Sequence, residues 1–238
     1  MEIYPSIEMI DLALHLKKEN VLIFSDFHLG YEQGLLKKGI FLPFQQFEDT
    51  HARVKKILGK DMFTSIVVTG DFKHEFGIIS ETEWRHALQI IDLFLEHTSK
   101  VILIEGNHDP VLGPIARKRN VRLVSYLVYG EIFVCHGDVI PTVAEFEKST
   151  IVIIGHEHPA IGLKEGAKRE VYKCFLKGMY EKKTLLVVPS FNLMTLGTDV
   201  LRDRLLSPFL QHDLSNFDIF VNENGMIYPF GKVKTLLK

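Results

Sequence analysis

The sequence predicts an α/β fold, buried strands covered by helices, from three observations. Short apolar runs rich in β-branched residues recur through the first two-thirds of the chain, segments of helical periodicity alternate with them, and no repeat, low-complexity tract or linker interrupts the pattern. Segments 21–24, 66–68, 101–104, 132–135 and 151–154 are short and apolar throughout, as strands covered on both faces are. Between them, segment 43–58 begins with Pro43 and puts Phe44, Phe47, Val54 and Leu58 on one helical face. Segment 81–97 does the same with Trp84, Leu88, Ile91 and Leu95. After Ile161 the texture changes to strands at 171–176, 185–188, 217–221 and 226–228, with turn signals at Gly178 and Asn224-Gly225. Segment 193–208 reads as a loop or lid with helical character. The 238 residues suit one large domain, with residues 161–238 available for a second sheet packed on the first.

Composition excludes little and steers little. The chain is 46% apolar, enough for a sizeable core, and its net charge of −2 gives no general attraction to nucleic acid or anionic membranes. No run approaches the ~18 apolar residues of a membrane span, and Met1-Glu2-Ile3-Tyr4-Pro5 lacks a basic, then apolar, secretory start. The expectation is a cytoplasmic protein with no membrane partner. Cys135 and Cys174 both sit in apolar runs and are expected to be buried, reduced thiols.

Five polar blocks follow the five apolar runs: Asp26-Phe27-His28, Gly70-Asp71-Phe72-Lys73-His74, Gly106-Asn107-His108-Asp109, His136-Gly137-Asp138 and Gly155-His156-Glu157-His158. In an open α/β sheet ligands gather at the carboxyl ends of the strands, so these side chains are expected in one crevice. Carboxylates, imidazoles and one amide, without paired cysteines, make a set for divalent metal ions. Seven ligands exceed one ion's needs, whereas two ions sharing Asp71 would use them all, the arrangement that clamps an in-line displacement at phosphorus. If Asp26-Phe27-His28 and His156-Glu157-His158 stay extended, alternate residues point into one cavity. Mn²⁺ is favoured by the mixture of hard oxygens with imidazole, and Fe, Zn and Ni remain open.

The order of the five blocks resembles the calcineurin-like metallophosphoesterase superfamily over residues 21–158. Phe27-His28-Leu29-Gly30, Gly70-Asp71-Phe72-Lys73-His74, Gly155-His156-Glu157-His158-Pro159 and Val188-Pro189-Ser190-Phe191 look most like ICC-like phosphoesterases, a group whose bacterial branch includes ligase-associated phosphoesterases. The resemblance implies a four-layer α/β/β/α sandwich of two mixed sheets flanked by helices. It implies one ion on Asp26, His28 and His158, another on Asn107, His136 and His156, Asp71 between them, and attack by a bridging hydroxide. His108 would protonate the leaving oxygen or stabilise charge on the phosphoryl oxygens, with Asp109 orienting its imidazole. Asp71-Phe72-Lys73-His74 resembles the Gly-Asp-x-x-His form of the superfamily's double-strand-break repair nucleases. His74 is therefore either a contact to the scissile diester or a histidine with no part in substrate choice.

Other features take plainer readings. Arg117-Lys118-Arg119, segment 164–169 and Lys182-Lys183 are expected to be solvated faces, and segment 41–47 to pack a helix. His15, His51, His86, His97 and His212 have no ligand partner nearby in sequence. Asp138 is either a partner behind a metal-binding histidine or a turn residue. The function expected is a binuclear metal-dependent phosphodiesterase acting on nucleotides or nucleic acid. The alternatives are a phosphomonoesterase, a nucleotide-sugar or lipid pyrophosphohydrolase, and a catalytically idle interaction scaffold.

Overall fold

The computed structural model describes residues 1–40, 46–75, 79–109, 111–166 and 168–237. Pro43 and Phe44, where the sequence starts a helix, lie outside these residues.

The first sheet has the order β1-β2-β3-β4-β5-β6-β7, made of Glu2–Tyr4, Ile7–Ile10, Ala13–Leu16, Val21–Phe24, Ser65–Val68, Val101–Ile104 and Arg122–Val124. Strands β1 to β4 form an antiparallel meander and β4 to β7 run parallel. Between the parallel strands lie helices α1 (Tyr31–Lys37), α2 (Gln46–Leu58), α3 (Glu81–Leu95) and α4 (Gly113–Lys118). The second sheet comprises β8 (Tyr126–Tyr129), β9 (Ile132–Cys135), β10 (Ile151–Ile154), β11 (Pro159–Glu165), β12 (Lys168–Tyr180), β13 (Lys183–Val187), β14 (Thr198–Asp199), β15 (Asp218–Glu223) and β16 (Met226–Lys232). Strands β9, β10 and β13 are parallel and the others mainly antiparallel. Helices α5 (Ala144–Lys148) and α6 (Val233–Leu236) accompany this sheet. Two mixed sheets flanked by helices make the expected α/β/β/α sandwich.

Alternation along each strand explains the layers. Val21 and Ile23 face the second sheet, joining Val134, Ile153, Phe175 and Leu186 in the central core. Leu22 and Phe24 face the opposite way, onto Val54 of α2 and Ile90 and Phe94 of α3. On the outer face of the second sheet, Val152 and Ile154 pack with Phe146, Phe209 and Val233. Apolar residues on both faces are what a strand between two layers needs.

Several local expectations shift. Helix α3 buries Ala87, Ile90, Ile91 and Phe94, while Trp84 and Leu88 are only partly buried and Leu95 is exposed, so its core stripe is rotated from the expected one. Ser80 and Glu83 form a capping box at its start, and the buried Glu83 carboxylate also accepts from the Glu75 amide at 3.0 Å, tying the helix to the loop that carries His74. The N-terminal meander went unpredicted. Segment 193–208 has no α-helix: it contributes β14 and is fastened by Glu157, whose Oε2 accepts from the Leu206 and Ser207 amides at 2.7 and 2.8 Å. No helix among the described residues is long and apolar enough to cross a membrane. Both cysteines are free and buried.

Gly178 is not a turn. It lies within β12, where a Cβ would overlap the Phe217 ring, while the Asn224-Gly225 turn does form, both residues at positive φ. Gly178→Ala is expected to cost about 1–3 kcal/mol in a denaturation titration, because Phe217 is buried and cannot move aside. Gly178→Ala combined with Phe217→Leu should recover part of that loss.

Candidate metal centre

The five polar blocks meet at the carboxyl ends of strands from two sheets, not one. Asp26, Asp71 and Asn107 follow β4, β5 and β6 of the first sheet, and His136 and His156 follow β9 and β10 of the second. The parallel strands of each sheet bring their ends to one edge of the sandwich.

The ligand segments are not extended. Asp26, His28, Asp71, His156 and His158 all have positive φ, between 46° and 63°. Asp and His enter this left-handed region more readily than most residues, yet five in one site is a strained arrangement held by its surroundings. Main-chain bonds clamp the loops: the Asp26 amide donates to the Gly70 carbonyl (3.2 Å) and the His28 amide to that of Asp71 (2.9 Å). Ser190 Oγ and the Asn192 amide both donate to the Asp26 carbonyl, at 2.9 and 3.0 Å. Ser25, itself bonded by Thr69 Oγ1 at 2.6 Å, donates to the Asp26 carboxylate. Gly155 leaves room for this pair, since a Cβ there would overlap both Ser25 and Asp26.

Beside a group of three imidazoles, His28, His74 and His108, two mixed donor sets result. Asp26, His28, Asp71 and His158 converge in one, with His28 Nε2 3.2 Å from His158 Nε2 and His158 Nε2 3.3 Å from Asp26 Oδ1. Asp71, His136 and His156 converge in the other, with His136 Nε2 3.1 Å from His156 Nδ1 and 3.0 Å from Asn107 Oδ1. Asp71 belongs to both, its Oδ2 lying 3.6 Å from His28 Nε2 and 3.6 Å from His136 Nε2. His136 Nδ1 donates to the Thr69 carbonyl at 2.8 Å, which fixes the tautomer and leaves the Nε2 lone pair turned towards Asn107 and His156. Converging imidazole nitrogens and carboxylate oxygens, with the tautomer set by a carbonyl behind, fit a pair of divalent cations.

The electrostatics of His28, His156 and Asp26 agree with that chemistry. Burial drives His28 well below the ordinary histidine value, and burial together with His136 takes His156 down to about 4, so both imidazoles stand neutral, as ligands must. Burial raises Asp26, but His158, by charge and hydrogen bond, and the charge of His136 outweigh it and hold the carboxyl well below the usual carboxylate range. Burial pushes Asp71 up to about 7, with the Asp26 charge adding to the rise. Burial lowers His136, but Asp26, Asp71 and the Thr69 carbonyl outweigh it, with Asp138 contributing by charge.

Around the donors, a cleft of about 360 Å³ is lined by Tyr31, His74, His108, Asn192, Thr195 and Leu196 among others. His108 Nδ1 donates to the His74 carbonyl at 2.6 Å, and its ring lies 4.8 Å from that of His28. An orienting bond to His108 thus comes from the main chain of His74. The buried Asp109 carboxylate accepts from the amides of Phe72 (3.2 Å), Lys73 (3.3 Å) and Gly106 (3.2 Å), joining the two ligand loops, and burial pushes it up to about 6. Lys73, fully buried, donates to the His108 carbonyl at 2.6 Å. His74 stands against Tyr31, ring centres 4.6 Å apart.

Sequence reasoning singled out none of Tyr31, Thr69, Asn192 or Leu196, and Lys73 lay in a quoted block without a role. Ser190 lay in a quoted motif without a role. In the basic clusters Arg117, Lys118, Lys164, Lys168 and Lys182 are exposed, as expected, whereas Arg119 pairs with Asp92, Arg169 with Asp199, and Lys183 caps α5 through the Glu147 and Ser149 carbonyls at 2.9 and 2.8 Å. Among the described residues His15, His86 and His97 lie outside the donor sets, bonded to Asn20, stacked on Phe47 and bonded to the Asp61 carbonyl.

The architecture and the paired donor sets are those of a metal-dependent phosphoesterase fold. The family model for calcineurin-like phosphoesterases matches residues 19–180, and the chain belongs to that family. Among solved structures it is similar to nuclease MPE of Pseudomonas putida, with 20% identity over 92% of each chain and a TM-score of 0.63. YfcE, a phosphoesterase of E. coli, aligns at 11% identity over 89% of this chain and 98% of that one, TM-score 0.43. Vps29 of Entamoeba histolytica in complex with zinc aligns at 18% identity over 88% and 96%, TM-score 0.38. No curated protein sequence matches significantly.

Proposed function

We propose that this protein is a binuclear phosphodiesterase acting on nucleotides or nucleic acid. The observation that carries the reading is Asp71, whose one oxygen lies equally far from a histidine of each donor set. Asp26, His28 and His158 would hold one divalent ion and Asn107, His136 and His156 the other, with Asp71 shared; Mn²⁺ is the favoured metal. Bound there, two such ions polarise phosphoryl oxygens and acidify water. His108, tethered through Nδ1, presents Nε2 as the group that moves a proton at the leaving oxygen or steadies phosphoryl charge. The Pseudomonas putida protein of the same fold is a nuclease, so the fold accommodates a nucleic-acid substrate. The motifs Phe27-His28-Leu29-Gly30 and Val188-Pro189-Ser190-Phe191 support placing the chain among ICC-like phosphoesterases. The second of them holds the Asp26 loop.

The deciding assay compares bis-p-nitrophenyl phosphate with p-nitrophenyl phosphate on metal-stripped protein titrated with Mn²⁺. Metal-dependent cleavage that favours the diester supports the proposal. Preference for the monoester moves it to a phosphomonoesterase, and no turnover despite two bound ions moves it to a binding role. His74, at the mouth of the cleft, is positioned to sense the second ester group. His74→Ala should lower the diester-to-monoester ratio of kcat/KM by about tenfold, the size of one lost polar contact; an unchanged ratio removes His74 from substrate choice.

A further inference from the structure

Beside the metal cleft lies a second cavity, of about 310 Å³, lined by Arg53, Lys173, Leu193, Leu196, Asn222 and Glu223 among others. Leu196 also lines the metal cleft, so the two cavities share that wall. Lys173 projects from β12, and its Nζ is shut off from solvent with no hydrogen-bond partner among the described residues. A buried ammonium left unpaired is costly. Burial lowers it to about 7, while Asp26 is near enough for its charge to oppose the fall and Arg53 adds to it. Arg53 is already compensated: Nη2 donates to Asp11 Oδ1 at 2.6 Å and to Asn222 Oδ1 at 3.0 Å. Lys173 is thus, among the described residues, the uncompensated amine beside the cavity that its side chain lines.

We propose that this cavity is a second phosphate subsite, taking a phosphate of a nucleic-acid strand whose neighbouring scissile phosphate lies in the metal cleft across Leu196. The proposal rests on the phosphodiesterase reading and narrows its substrate from single esters to strands. A phosphate there gives Lys173 the charge-assisted partner that it lacks. Through Tyr172 and Glu223 the cavity continues into a groove lined by Lys168, Tyr228 and Phe230, the last two 39% and 37% exposed. Lys168 pairs with Glu170 there, and the exposed aromatic faces of Tyr228 and Phe230 are the setting in which successive bases stack, which favours a strand over a diphosphate.

The test uses the metal-loaded protein and Lys173→Met, which keeps the length of the stem and removes the charge. Because the lost cation is unpaired, the variant should fold as well as the parent. Binding of a fluorescent, phosphorothioate-protected oligothymidylate of about ten nucleotides, read by anisotropy, should weaken about 10–100-fold, with the salt slope reduced by about 0.7. The kcat/KM for an unmodified oligonucleotide, divided by that for bis-p-nitrophenyl phosphate, should fall by a similar factor. Unchanged affinity, or an equal loss on both substrates, overturns the subsite. Should the parent cleave neither substrate, the phosphodiesterase reading fails. The anisotropy experiment still decides the subsite, which is overturned if the parent does not bind the oligonucleotide or the variant binds it equally well.

Discussion

Replacing Asp71 by asparagine is expected to weaken both metal positions at once. The substitution keeps the shape of the side chain and removes the shared negative charge. Changing residues merely behind a metal ligand typically costs 10–100-fold in affinity, so loss of a shared ligand should cost at least ~100-fold at each position. Calorimetric titration with Mn²⁺ reads this directly, and loss at one position with full affinity at the other would contradict the bridge. Stability carries a second signature. In the metal-free protein burial holds the Asp71 carboxyl up at about 7, against an ordinary value of 3.8. Between those pH values the folded chain keeps a proton that the unfolded chain has released, so metal-free stability falls as pH rises through this window. Asp71→Asn should remove this contribution to the slope and leave the metal-free protein at least as stable at pH 8. Mn²⁺, which raises the parent's Tm by binding only the folded state, should barely move that of the variant.

The ligands were legible because the chemistry sits at strand ends. A polar block after a four-residue apolar run announces both the strand and the crevice beyond it, and all seven expected ligands come together. What the runs do not reveal is which sheet each strand joins, since β-branched residues buried on both faces look alike in either layer. Extension of the Asp26 and His156 segments was expected from alternation, but their loops turn back through left-handed residues. Nothing in Asp-Phe-His announces a positive φ, because the clamp comes from distant groups such as Gly70 and Ser190. The N-terminal meander was hidden for a different reason. Its turn residues Ser6, Asp11 and Asn20 are present, at positive φ, but strands of 3 or 4 residues are too short to show a period between them. In α3, Trp84 and Leu88 competed with Ala87 for the core face, and the small residue lies inside because the helix packs closely on the sheet. Two partners of His108 were beyond reach altogether, the carbonyl of His74 and, through its own carbonyl, the buried Lys73.

His108→Ala is expected to lower turnover by about 10²–10⁴-fold, the usual worth of a positioned proton donor, while both metals remain bound. How the loss depends on the leaving group separates its two possible tasks. A donor of the leaving-group proton matters most when the departing oxygen is strongly basic, so the variant should lose far more on an alkyl ester than on a p-nitrophenyl ester. A group that only steadies phosphoryl charge should lose about equally on both. The geometry favours proton donation. A carbonyl can only accept, so Nδ1 permanently carries a hydrogen and Nε2 is the nitrogen whose protonation changes. Burial lowers the imidazole below its ordinary value, while the His74 carbonyl opposes that shift by holding Nδ1–H. Because the acid form is lost as pH rises, the parent's kcat on the alkyl ester should decline on the alkaline side, and the His108→Ala profile should lack that limb. His108→Asn, which retains a hydrogen-bond donor without a titrating proton, should recover part of the p-nitrophenyl activity and little of the alkyl activity. Equal recovery on both esters would assign His108 to charge stabilisation alone.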